Sequence, residues 1–410
     1  MPQLIQFAFL LLLCLKLCYG VPLPTPDQLA YEEMEVGAII HFNMATAAGT
    51  QGCTLREVPP LSTFNPKTLN TDQWAESMRD MGVKYAVYVA KHNCGFCTWH
   101  TKTKFPDFDF SYDYSVNNSA YKGDVVKQFI ASMNKYGIKP GFYYSVVTNS
   151  YLNVHDGVVQ GGPLAPGQVK VTQEQYDQIV FSQVSELWTN NGPLAEIWFD
   201  GGYTTDLKDK ITSLLEKLQP HATAFNGYGI SKNAVRWIGS ETGHAPYPTW
   251  STGDKGAGDQ NSNVWVPPEC DFTLQNSDTW FYNEKIGLRS LKELMSIYHD
   301  SIGHNCNMLL DFAPTPDGVL PPDAVQRYKE FGSYIKTCYG SSVGSTSGSA
   351  TTLTISFNKT QTIDRAVIQE NQAKGQLIRA FNIMANVNGK GWTVVASGSS
   401  VGNKYIALFS

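Results

Sequence analysis

The chain has 410 residues and a formal charge of −5, with 42% hydrophobic and 16% charged side chains. That much apolar material supplies a large core and excludes disorder for most of the length, while the size allows one large domain with a smaller companion. The mildly acidic balance, with no long basic run, argues against a nucleic-acid partner.

The first twenty residues read as a secretory leader. Residues 7–18 are apolar except for Lys16, and Cys18-Tyr-Gly20 offers small residues where a signal peptidase needs them, so cleavage is expected after Gly20. The run is shorter than the ~20 residues that span a bilayer. The mature protein is therefore expected to be secreted and extracellular (apoplastic in a plant), with no membrane segment. Cys53, Cys94, Cys97, Cys270, Cys306 and Cys338 remain, an even set that permits disulfides whose pairing stays open. Cys94-Gly-Phe-Cys97 has redox spacing but no thioredoxin pattern around it. Asn117-Asn-Ser119 and Asn358-Lys-Thr360 are glycosylation sequons.

Beyond the leader, short apolar runs alternate with amphipathic stretches. Strands are predicted over 36–43, 85–92, 139–146, 194–200, 222–226, 235–241 and 307–312. Helices are predicted over 71–82, 122–137, 172–192, 206–219, 290–301 and 322–336, several of them ending at a glycine. No helix is evident between 226 and 235. Roughly eight strand–helix units with continuously apolar strands predict a (β/α)₈ barrel, spanning 21–339. No Gly-x-Gly-x-x-Gly follows the first strand, so a dinucleotide site is not expected. Residues 340–352 turn to Gly, Ser and Thr, the composition of a linker. The β-like runs of 353–410 predict a small C-terminal β-sandwich, shortened because the last strand-like run reaches the end of the chain.

In such a barrel the C-terminal strand ends face the active site. That rule selects His41, His92 and Asn93, Tyr143 and Tyr144, Asp200 and Glu241 before any motif is invoked. Two carboxylates at one mouth are what glycoside hydrolysis needs, one to attack or activate water and one to protonate the leaving oxygen. The ordinary alternatives are a turn-initiating Asp before Gly201-Gly202, a solvated loop Glu, and core histidines bonded to backbone. A zinc site built from His41, His92 and His244 lacks the spacing of known motifs.

With these residues in hand, the chain resembles the α-L-fucosidases of glycoside hydrolase family 29, most of all the secreted plant members that act on 3- and 4-linked fucose. The segments that carry the resemblance are His41-Phe-Asn43, Ala90-Lys-His-Asn-Cys-Gly-Phe-Cys-Thr-Trp99, Gly141-Phe-Tyr-Tyr-Ser145, Glu196-Ile-Trp-Phe-Asp-Gly201, Arg236-Trp-Ile-Gly-Ser-Glu241, Trp265-Val-Pro-Pro-Glu-Cys-Asp271, Ser301-Ile-Gly-His-Asn305 and Asn307-Met-Leu-Leu-Asp311. Each is weak alone; their order is specific. The resemblance implies a retaining mechanism with Asp200 as nucleophile and Glu241 as general acid/base. Glu269 and Asp271 compete for the second role, Glu269 alternatively bonding in the pocket wall. It further implies that His41, His92, Tyr143 or Tyr144, Trp198, Arg236 and Trp280 line the fucose pocket. Where the family often has a second His and an Asp after the first His of the second-strand motif, this chain has Asn93 and Cys94. The resemblance implies a fucosylated oligosaccharide or glycoprotein substrate and no cofactor, since carboxylates alone run this chemistry. The rival expectations are a 2-linked fucosidase acting on cell-wall polysaccharide, a hydrolase for another sugar, and a fucose-binding protein without turnover.

Overall fold

The computed structural model describes residues 20–106, 111–386 and 391–409; the leader lies outside the described residues except for Gly20. Eight parallel strands close into a barrel: β1 (Val36–Ile40), β2 (Tyr85–Lys91), β3 (Lys139–Tyr144), β4 (Glu196–Trp198), β5 (Thr223–Phe225), β6 (Ala234–Trp237), β7 (Pro268–Phe272) and β8 (Asn307–Phe312). Each strand pairs with the next, and β8 returns to β1 with Val36 opposite Met308 and Ile40 opposite Phe312. β1, β2, β7 and β8 are buried at every position. One face of each strand fills the barrel and the other meets helices, which is why these runs lack a polar alternation.

The longer helices are α1 (Pro26–Met34), α2 (Thr71–Met81), α3 (Val125–Tyr136), α4 (Gln173–Asn190), α5 (Lys208–Leu218), α6 (Leu291–Asp300) and α7 (Pro322–Tyr339), and a single short turn of helix covers Met44–Ala48. The side chains of Asn70, Asp124, Thr172 and Ser290 cap α2, α3, α4 and α6, each accepting from an otherwise unpaired backbone N–H. Gly82 and Gly137 end α2 and α3 with φ of +98° and +71°, conformations costly for residues with a Cβ.

Among the elements not anticipated, two shape the barrel. β7 carries Pro268, Glu269 and Asp271, which break the apolar pattern of a buried strand. α1 lies beneath the barrel, where Gln28 donates to the carbonyls of Ala234 and Trp265. Its Tyr31 packs into the barrel interior with Ile39, Tyr85, Val87, Leu309 and Phe225. No helix follows β5 or β6, and 238–267 instead forms one long loop. Among the described residues no helix is long and apolar enough to cross a membrane.

Residues 340–364 have no regular structure, so the first part of the β-like tail forms no strand. The tail forms two antiparallel ribbons, β9 (Arg365–Ile368) with β12 (Tyr405–Leu408) and β10 (Phe381–Asn386) with β11 (Trp392–Gly398). Lys404 pairs with Glu35 at 2.5 Å, and the backbones of Ile406 and Gly303 are bonded, fixing β12 to the barrel. Disulfides join Cys53 to Cys94 and Cys270 to Cys306, leaving Cys97 buried and free and Cys338 free. The Cys94–Cys97 spacing is therefore not a redox pair.

Candidate active site

β1 and β2 end immediately before His41 and His92, and Asp200 lies two residues beyond β4. Inside the mouth, Tyr143 is stacked between Trp198 (ring centroids 5.3 Å apart) and His92 (5.6 Å). Its hydroxyl donates to Asp200 Oδ2 at 2.8 Å. His41 packs 5.0 Å from Trp280 and 6.4 Å from Tyr143. Trp280 Nε1 in turn donates to Glu241 Oε2 at 3.0 Å. Asp200 and Glu241, both solvent-accessible, are thus tied to aromatic rings that flank the same histidine. Both acids also act electrostatically on His41 and Tyr143, so the four groups stand together at the C-terminal end of the barrel strands.

Burial sets the charge of this wall. It pushes His41 down to about 3, against the opposing pull of Asp200 and Glu241. His92 falls to about 4 through burial and the neighbouring His41. Both imidazoles are neutral near pH 7. Burial, then the Asp200 carboxylate, raises the Tyr143 hydroxyl, which keeps it a proton donor.

Several expected site residues stand elsewhere. Successive strand side chains point to opposite faces, so Tyr144 leaves the barrel interior. Its hydroxyl donates to Gln183 of α4 at 2.7 Å, and the buried Lys91 ammonium lies over its ring. The same alternation turns Arg236 outward. It clamps the 238–267 loop by donating to the carbonyls of Gly256, Gly253, Val266 and Trp250. Glu269 lies in the barrel floor, where it accepts from Tyr31 and Tyr85 at 2.7 Å each and from Trp198 Nε1 at 3.0 Å. It is fully buried, and its partner Trp198 is the ring that stacks on Tyr143. Asn93 adjoins the site beside His92; its Oδ1 receives the Cys53 N–H at 2.9 Å and lies 3.0 Å from His92 Nδ1. β6 stops at Trp237, so Glu241 comes from the loop rather than from a strand end. His244 bonds Asp300 on the outer surface, apart from His41 and His92.

Four residues of the mouth were missed or left unresolved. Asp311 lies 2.8 Å from His41 Nδ1. Phe281 packs edge-on against both histidines, 5.0 and 4.9 Å away. Trp237 Nε1 donates to the buried Asp271 at 2.7 Å. Strand alternation accounts for the placement of Trp237, Asp271 and Asp311: each stands two residues beyond an interior residue of its strand (Val235, Glu269 and Leu309), a facing that the closed barrel reveals.

Residues 28–340 match the family model described as Alpha-L-fucosidase. The chain belongs to the α-L-fucosidase family. Alpha-L-fucosidase 1 of Arabidopsis thaliana is 27% identical in an alignment spanning 96% of this chain and 83% of that one. A Bacteroides thetaiotaomicron protein assigned to the α-L-fucosidases has a crystal structure that superposes with a TM-score of 0.85. It is 31% identical, with 95% of this chain and 93% of that one covered. A fucose-bound glycoside hydrolase family 29 fucosidase from Ruminococcus gnavus shares the fold, with a TM-score of 0.79 at 21% identity and coverage of 95% and 90%. As a member of the α-L-fucosidase family this chain is a glycoside hydrolase, and fucosylated glycans are its substrate class.

Proposed function

We propose that the protein is a secreted, retaining exo-fucosidase that releases terminal 3- or 4-linked α-L-fucose from Lewis-type oligosaccharides or glycoproteins. The observation carrying this reading is that Asp200 and Glu241 are bound through Tyr143 and Trp280, two rings that pack against the same neutral His41. In the first step Asp200 attacks the anomeric carbon while Glu241 gives its proton to the departing glycosidic oxygen, leaving a covalent fucosyl-enzyme. In the second, Glu241 takes a proton from water, whose oxygen attacks the anomeric carbon and expels Asp200. His41, His92 and Tyr143 supply polar edges for the sugar hydroxyls, and Trp198, Trp280 and Phe281 supply apolar faces for its ring and methyl group. Secretion follows from the leader, and Asn117 and Asn358, both exposed, are the proposed glycan attachment sites.

Azide rescue tests the roles. Asp200→Gly with azide should give fucosyl azide of inverted configuration, and Glu241→Ala the azide of retained configuration. Rescue of Glu269→Ala instead would transfer the acid/base role. A panel of 2-, 3- and 4-linked fucosyl-oligosaccharides tests the linkage; preferential release from the 2-linked member would favour the polysaccharide alternative. Tight fucose binding without release from any member would leave only a binding protein.

A further inference from the structure

His41 and Asp311 form a closed pair behind the mouth. Nδ1 and Oδ1 stand 2.8 Å apart, with side chains 6% and 1% exposed. Among the described residues no Lys or Arg is paired with Asp311, and its Oδ2 has no hydrogen-bond partner. An ionised carboxylate there would be a buried charge with no cationic partner and an Oδ2 without a hydrogen bond, a costly state that the nearby backbone N–H groups of Phe312 and His41 offset only in part. A neutral carboxyl satisfies the same geometry by donating its single O–H to Nδ1. It leaves only a carbonyl oxygen unpaired, a far smaller cost. Burial moves both groups the same way, His41 down and Asp311 up, and the backbone N–H groups of Phe312 and His41 oppose the second shift only in part.

We propose that Asp311 is a positioning residue whose protonated carboxyl donates to His41 Nδ1 and locks the imidazole as its Nε2–H tautomer, making His41 a fixed hydrogen-bond donor in the fucose pocket. The consequence is a preference. A His41 so held matches the lone pair of a sugar hydroxyl and cannot accept that hydroxyl's proton. The inference rests on the reading that His41 lines the pocket, and its test separates the two.

In the full-length protein labelled with ¹⁵N-histidine, the His41 signals are assigned by their loss in His41→Gln. Near pH 7 the expected spectrum has Nε2 protonated and Nδ1 unprotonated. A proton on Nδ1 overturns the inference. Asp311→Ala is expected to raise KM about tenfold, the size of one misplaced hydrogen bond, with a smaller change in kcat. Asp311→Asn, whose amide N–H donates from the same place, should recover most of that loss. Equal impairment of the two variants overturns the inference, and if the alanine variant does not fold, the wild-type spectrum still decides. Titration with fucose checks the underlying reading independently. His41 signals that ignore saturating fucose remove His41 from the pocket, whichever nitrogen carries the proton.

Discussion

Tyr143 and Asp200 meet hydroxyl to carboxylate at 2.8 Å, across the gap between the end of β3 and the turn beyond β4. Hydrogen bonds to charged groups contribute about 1.5–3 kcal/mol. Tyr143→Phe should therefore lower kcat/KM for an aryl fucoside at least about tenfold while leaving the ring stack with Trp198 intact. Unaltered kinetics would mean that the bond does nothing for turnover.

Tyr144 is the matched control. Its hydroxyl reaches α4 rather than the pocket. Tyr144→Phe should cost about 1 kcal/mol of stability and change KM by less than about twofold. A large KM effect in a well-folded Tyr144→Phe protein would put that ring back in the site.

With His41 held down to about 3 and His92 to about 4, neither ring gains a proton between pH 8 and 5. The imidazole proton resonances of both should stay constant over that range. A midpoint near 6.5 assigned to either ring would contradict the burial argument.

Glu32 of α1 accepts from Ser251 at 2.5 Å, and burial raises it from 4.5 to about 7. Its folded pKa is the higher one, so folding favours its protonated form. That contribution is complete below pH 4.5 and is lost as the pH rises through 7. Glu32→Gln, neutral at every pH, should match the wild type near pH 4.5 and exceed its stability by about 3 kcal/mol at pH 8. Urea unfolding at the two pH values measures this. A stability difference that does not change with pH would refute it.

Glu269 holds three donors in the barrel floor. Glu269→Ala strands the Tyr31 and Tyr85 hydroxyls and the Trp198 indole, and should cost at least about 3 kcal/mol. Denaturant unfolding gives the value; a loss below about 1 kcal/mol would show that the floor reorganises freely.

The barrel was legible because its strands are buried on both faces and its helices carry capping residues and glycine stops, all local signals. β7 escaped notice because Glu269 and Asp271 interrupt its apolar pattern, and their burial makes sense only beside the donors from Tyr31, Tyr85, Trp198 and Trp237. The sequence by itself determined the barrel, the segments at its mouth and the two accessible acids, since strand ends and motif order follow from short stretches of chain. Which face each side chain takes was decided only in three dimensions. The closed barrel sent Tyr143 inward and Tyr144 outward, made Arg236 a loop clamp and Glu269 a floor residue, and set Asp311 behind His41. Strand register fixes facing, and register is set by pairing with neighbours distant in the chain.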